Sequence, residues 1–111
     1  MEGQMKKGVL EMCILCMISR DCPYGYEITK RIRSFFPDVN ESTIYGVLRR
    51  LRSDESVEVF YGEDSNGPVR KYYKITPNGE SALASSMDSW LKITKAVEAI
   101  CFPEESKNIH G

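Results

Sequence analysis

Residues 41–75, ESTIYGVLRRLRSDESVEVFYGEDSNGPVRKYYKI, decide the fold. Ile44, Val47, Leu48 and Leu51 recur at helical spacing and predict a helix from Glu41 or Ser42 to about Asp54. The period then changes. Val57 to Tyr61 and Val69 to Ile75 are β-branched and aromatic runs, separated by the turn formers Gly62-Glu63-Asp64-Ser65-Asn66-Gly67-Pro68. Two such runs around such a cluster read as a β-hairpin.

Upstream, Tyr24 to Phe36 predicts another helix, with Ile28, Ile32 and Phe35 or Phe36 facing inward and Pro37 ending it. Pro37-Asp38-Val39-Asn40 is a tight connection, and two helices joined by a short turn form a helix-turn-helix. Followed by a hairpin, they give the order of a winged helix. Further upstream, Gly8 to Ile18, with a start as early as Gln4, is helical and apolar nearly all round. Such a helix needs burial on more than one face. Cys22-Pro23 breaks the pattern.

Downstream, Thr76-Pro77 supplies an N-cap and a first-turn proline for a helix running to about Cys101, where Phe102-Pro103 stops it. Such a helix is a rod of ~37 Å, whereas a compact chain of this size has a radius of gyration of only ~13 Å. The rod must overhang its own domain. Its seam of Leu83, Met87, Trp90, Thr94, Val97 and Cys101 follows a heptad and seeks another helix. Dimerisation through this helix and the first one is the economical solution, with Val9, Cys13, Leu83, Met87, Trp90, Leu91, Val97 and Cys101 as expected contacts. The fold class is therefore α+β, mostly α. Residues 1–76 hold the N-terminal helix and the winged helix-turn-helix, 77–103 the dimerisation helix and 104–111 a polar, flexible tail.

The chain of 111 residues has 41% hydrophobic and 28% charged residues, an ordinary globular balance. Its net charge of -1 gives nucleic-acid binding no support by itself. The placement of charge does. Between Thr29 and Arg52 lie six basic residues (Lys30, Arg31, Arg33, Arg49, Arg50, Arg52) and two acidic ones (Asp38, Glu41), and the second strand adds Arg70, Lys71 and Lys74. Asp88, Glu98, Glu104 and Glu105 load the other end. The second helix of a helix-turn-helix reads the major groove with its N-terminal part. Expected contacts to double-stranded DNA are Ser42, Thr43, Tyr45, Gly46, Arg49 and Arg50 on that helix, and Arg70 and Lys71 on the wing. Arg50 has a competing partner in Asp54 at i+4, Tyr45 is alternatively a half-buried core tyrosine, and only one of Arg70 and Lys71 points at DNA because neighbours in a strand alternate faces.

Cys13 and Cys16 have C-x-x-C spacing but sit in Met12-Cys13-Ile14-Leu15-Cys16-Met17-Ile18. No second pair accompanies them and the one histidine is His110, so neither a closed zinc site nor a redox motif is expected. Cysteine here reads as a small buried apolar residue, with no metal and no cofactor. The same lack of Cys/His and Ser/His/Asp sets argues against an enzyme. The longest apolar run, Met12 to Ile18, is far short of the roughly 20 residues of a membrane span. With no secretory signal at the N-terminus, a cytoplasmic location is expected. A winged helix serving as a protein-interaction module is the alternative function.

Gly8-Val9-Leu10-Glu11, Tyr24-Gly25-Tyr26-Glu27-Ile28, Ser42-Thr43-Ile44-Tyr45, Arg49-Arg50-Leu51, Gly67-Pro68-Val69-Arg70-Lys71-Tyr72-Tyr73 and Thr76-Pro77-Asn78-Gly79 together resemble the PadR family of bacterial transcriptional regulators. The resemblance implies a winged-helix homodimer, usually a repressor of a palindromic operator, released by a small-molecule or stress signal. The single C-terminal helix is similar to that of the small, multidrug-sensing subclass, whose tryptophan lines a pore between subunits. Trp90 falls at the matching position. That implies a small aromatic effector contacting Trp90, Met87 and Thr94; alternatively Trp90 fills the seam. Four positions depart from the family pattern. Glu55-Ser56 replaces Gly-Leu before the first wing strand, suggesting a different helix exit, Ser42 replaces Gly, and Gly46 replaces Pro. Thr94 stands where an acid helps bind cationic drugs.

Overall fold

The computed structural model describes residues 3–63 and 67–104. The order is α1 (Gly3–Asp21), α2 (Gly25–Phe35), α3 (Glu41–Ser53), β1 (Val57–Glu63), β2 (Val69–Ile75) and α4 (Pro77–Cys101). This is the winged-helix order, mostly helical, with β1 and β2 paired antiparallel from Val57↔Ile75 to Glu63↔Val69. The tip of the expected turn, residues 64–66, and the tail after Glu104 lie outside the described residues. Helix α1 extends beyond Gly8–Ile18 at both ends and β1 runs two residues past Tyr61, because residues near the ends of such elements add backbone hydrogen bonds without contributing to the apolar pattern.

One core holds the protomer together. Leu10, Ile14, Leu15 and Ile18 of α1 meet Ile28 and Ile32 of α2, Ile44, Val47, Leu48 and Leu51 of α3, and Val57 and Tyr73 of the hairpin. All four apolar residues of α3 are buried, as their spacing predicts. At the end of α2 the inward aromatic is its C-cap, Phe36, which packs at the core's edge, while Phe35 is 76% exposed. Cys13 and Cys16 do not enter the core; they are half-buried at its edge, and Cys22 and Cys101 are exposed. The reason is rotational: Leu10, Ile14, Leu15 and Ile18 occupy the inner side of α1, leaving Cys13 and Cys16 near the opposite side. Burial and the neighbouring Cys16 hold the Cys13 thiol above its usual range.

The exit from α3 is closed by two backbone hydrogen bonds at Glu55-Ser56. The N–H of Ser56 donates to the carbonyl of Leu51 at 2.9 Å, and that of Glu55 to Arg52 at 3.0 Å. This is a Schellman ending, and its C′ residue, Glu55, takes φ 60 where glycine is favoured. The start of α4 is bolted to the same turn. Thr76 Oγ1 donates to the Glu55 carbonyl at 2.6 Å and accepts from the Gly79 N–H at 3.0 Å. Asn78 Nδ2 donates to the Asp54 carbonyl at 3.0 Å. A Cβ on Gly79 would overlap the Ser56 carbonyl, so glycine is the residue that permits this approach. The Thr76-Pro77-Asn78-Gly79 motif is thus a weld between wing and long helix.

From Leu83, which is buried in the protomer's own core, α4 leaves the domain. The radius of gyration is 16.8 Å and the long extent 57 Å, against ~13 Å for a compact chain. No helix among the described residues is long and apolar enough to cross a membrane.

Candidate nucleic-acid interface

With its apolar residues in the core, α3 turns Ser42, Tyr45, Gly46, Arg49, Arg52 and Ser53 outward. Ser42, Tyr45, Arg49 and Arg52 lie three or four residues apart and form one stripe. Asn40 is the N-cap and makes no side-chain bond to the first turn. Backbone N–H groups in an open first turn suit an anion such as phosphate. Arg33 fixes the turn behind this helix: its Nε donates to the Val39 carbonyl at 3.1 Å, and its guanidinium lies 3.7 Å from the Glu41 carboxylate.

Tyr45 is neither free nor buried. It is 37% exposed, and a methyl group added at Gly25 would sit 3.4 Å from its Cε1, so the ring lies against the start of α2. Behind it, burial pushes the Tyr73 phenol above its usual range, with Tyr45 adding to the rise and Arg52 and Arg49 opposing it. Tyr73 therefore stays neutral beneath the stripe.

Arg49 is exposed, its guanidinium folded toward Gly46. Arg50 points elsewhere. Its guanidinium pairs with Glu11 of α1 at 3.3 Å rather than with Asp54. The helix wheel explains this: Arg50 sits a little over a quarter-turn from Arg49, on the side of α3 that faces α1. Thr43, seven residues earlier, shares that side and is exposed.

The wing divides its two cations between faces. Lys71 shares a groove with Leu48, Arg49, Arg52 and Ser53 of α3, and its Nζ lies 5.7 Å from the Tyr73 ring. Arg70 is on the other face, 4.6 Å above the Tyr24 ring. The aromatic surroundings of Arg70 were not foreseen from sequence, although strand alternation alone separates it from Lys71. Arg52, counted only as part of the basic cluster, is brought beside Lys71 by the fold.

A second surface lies along α4. Gly8, Val9 and Met12 of α1 and Ser85, Ser86, Ser89, Trp90 and Ile93 of α4 line an open, mainly apolar groove of about 360 Å³. Trp90 belongs to it, but Met87 and Thr94 do not; they lie on the seam side of the helix. Met87, Trp90, Leu91 and Val97 of the expected dimer contacts are exposed, Cys101 likewise, while Val9 and Cys13 are half-buried on α1. Leu83 is the exception, since its side chain is used by the protomer's own core. No cluster of three His, Cys, Asp or Glu side chains that could hold a metal occurs among the described residues.

Residues 14–85 match the model of the transcriptional regulator PadR-like family. A PadR-like transcriptional regulator from Bacillus cereus is 38% identical, with a TM-score of 0.82, covering 90% of this chain and 98% of that one. A Streptococcus transcriptional regulator is 33% identical, with a TM-score of 0.83 and coverage of 89% and 98%. An uncharacterised protein of Lysinibacillus sphaericus is 35% identical over 97 residues, 83% of this chain and 87% of that one.

Proposed function

The chain belongs to the PadR-like family of transcriptional regulators, DNA-binding proteins rather than enzymes, and from that premise we propose that it is a homodimeric repressor of a palindromic operator, released by a small aromatic effector. The observation that carries the docking mode is the stripe of Ser42, Tyr45 and Arg49 standing beside Lys71 on one exposed side. The first turn of α3 enters the major groove. Ser42 donates to a phosphate or base edge, the Tyr45 hydroxyl donates to a phosphate, and Arg49 reaches a phosphate or a guanine edge one turn later. Lys71 follows the backbone beside the groove.

The exposed apolar side of α4 supports the dimer: Met87, Trp90, Leu91 and Val97 are all more than a third exposed in the protomer. A two-fold axis through this helix sets two copies of α3 on successive half-sites, ~34 Å apart on B-DNA. A planar aromatic molecule stacking on Trp90 in the groove between α1 and α4 would shift α4 against the winged domain and spoil that spacing.

Selection of bound DNA from random sequence tests the whole reading. A palindromic consensus bound by a dimer is the expected outcome, and no enrichment would overturn it. Arg49→Ala and Tyr45→Ala should each lower affinity by roughly tenfold, within the 1–3 kcal/mol of a lost contact. Wild-type binding by both variants would sink the docking mode. Planar dyes should quench Trp90 fluorescence and release the operator, and unchanged dye affinity in Trp90→Ala would remove the effector site.

A further inference from the structure

The segment before α2 adds a rung to the wing. The Tyr73 N–H donates to the Pro23 carbonyl at 3.0 Å, and Tyr24 forms a bridge with Tyr72. The Tyr24 backbone is held in turn by Glu27, whose carboxylate accepts its N–H at 3.4 Å. On this frame the Tyr24 ring sits at the centre of an aromatic ladder. Tyr26 stacks on it at 6.2 Å, Tyr72 packs against it at 5.9 Å with the rings tilted by 60°, and the Arg70 guanidinium covers it at 4.6 Å. Tyr72 stacks in turn on Phe60 across the hairpin at 5.4 Å and an interplanar angle of 16°. Gly62 makes room for this: a Cβ there would lie 2.7 Å from the Tyr72 ring.

The register places Phe60, Gly62, Arg70 and Tyr72 on one face of the hairpin and Tyr61, Lys71 and Tyr73 on the other. One face ties the wing to the N-terminus of α2. The other carries Lys71 toward Arg49 and Arg52 of α3. Val57 and Tyr73 anchor the base of the hairpin in the core; beyond them the sheet is only two strands wide, a pair weakly held on its own, and this ladder adds a second hold on its tilt.

We propose that Tyr24 is a positioning residue for DNA binding: gripped by Arg70 and packed at a tilt against Tyr72, it sets the wing's angle to α3, and Lys71 rather than Arg70 is the wing's phosphate contact. The proposal rests on reading α3 and the wing as the DNA-binding face. It separates affinity from ion release. A phosphate contact contributes about 0.9 to the slope of log affinity against log salt, whereas a strut changes affinity without changing the number of counterions released.

The test is operator affinity over a salt series, using the sequence selected by the wild-type protein. Lys71→Ala should reduce the slope by about one unit. Arg70→Met and Tyr24→Leu should each weaken binding about tenfold with the wild-type slope, and the double variant should be no weaker than either single one. Tyr24→Phe keeps the ring and should bind like wild type. A lost unit of slope in Arg70→Met, wild-type affinity in Tyr24→Leu, or additive losses in the double variant would overturn the proposal. Thermal unfolding checks the fold of each variant, and if Tyr24→Leu does not fold, the slopes of Arg70→Met and Lys71→Ala decide alone. If the wild-type protein selects no DNA, the DNA-binding reading fails instead, which is a separate result.

Discussion

Helices α3 and α4 carry apolar residues at similar spacing and use them differently. In α3 the four apolar members, Ile44, Val47, Leu48 and Leu51, are all at most 4% exposed, and the polar residues between them face outward. Among the large apolar residues of α4 Leu83 alone is buried, at 9%, while Met87, Trp90, Leu91, Ile93, Val97 and Ile100 are exposed. The apolar face of α3 is satisfied inside the protomer; that of α4 is not. Period alone does not separate these cases. Length does, because a rod of ~37 Å passes the edge of a core this small and carries its apolar residues beyond anything the same chain can place against them.

Breaking the α4 face should give the largest effect. Val97→Glu puts a charge into the expected seam, 46% exposed in the protomer. The winged domain should keep its unfolding transition, since surface substitutions cost at most about 0.5 kcal/mol. The dimer should dissociate, and operator affinity should fall roughly 100-fold as the second half-site stops contributing. Sedimentation and gel-shift titration read the two effects. A monomer that still binds at wild-type affinity would mean that α4 does not set the operator geometry.

Ile44→Ala sharpens the comparison from the other side. Its residue is fully buried, so truncation should cost about 3 kcal/mol. Ile100→Ala, at 77% exposure, should leave the protomer's own stability nearly unchanged. Denaturant unfolding at a protein concentration below dimer formation measures both. Equal losses would show that α4 is as deeply embedded as α3. Between these extremes stands the weld. Gly79→Ala forces a methyl into the Ser56 backbone carbonyl and against Ile75 Cγ1 at 2.8 Å. Backbone cannot move aside as a side chain can, so about 2 kcal/mol should be lost.

Local sequence specified most of the elements and less of what they face. The strand β2 and the helix α4 begin and end where alternation, Thr76-Pro77 and Phe102-Pro103 place them. The apolar period of α3 identified its inner face. Arg50 illustrates what was lost: an i+4 partner is visible in sequence, while Glu11, 39 positions away, becomes a neighbour only once α1 packs on α3. Phe35 and Phe36 were indistinguishable because adjacent residues at a helix end differ by one step of the wheel. The ladder around Tyr24 joins residues 24, 60 and 72 from three elements, and no periodicity spans that separation. For the α4 groove, a resemblance identified Trp90, but the small residues Ser85, Ser86 and Ser89 that open it carry no signal until α1 lies opposite.

The smallest effect tests the joint between the two helices. The exit of α3 keeps a Schellman ending although Glu55 occupies its left-handed position at φ 60. A residue with a Cβ is strained there by roughly 1–2 kcal/mol, and the two closing hydrogen bonds, together with the bond from Thr76 Oγ1 to the Glu55 carbonyl, hold it in place. Glu55→Gly removes the strain but also frees the unfolded chain, which returns part of the gain. A net stabilisation of about 1 kcal/mol is expected, raising the melting temperature by roughly 4 °C. Operator affinity should be unchanged, because Glu55 lies outside the stripe of Ser42, Tyr45 and Arg49. A loss of stability would show that the Glu55 side chain contributes a contact worth more than its backbone costs. Unchanged stability with altered operator affinity would instead make this turn part of the coupling between α3 and α4, and the contrast between the helix proposed to read DNA and the helix proposed to assemble the dimer would have to include the joint that connects them.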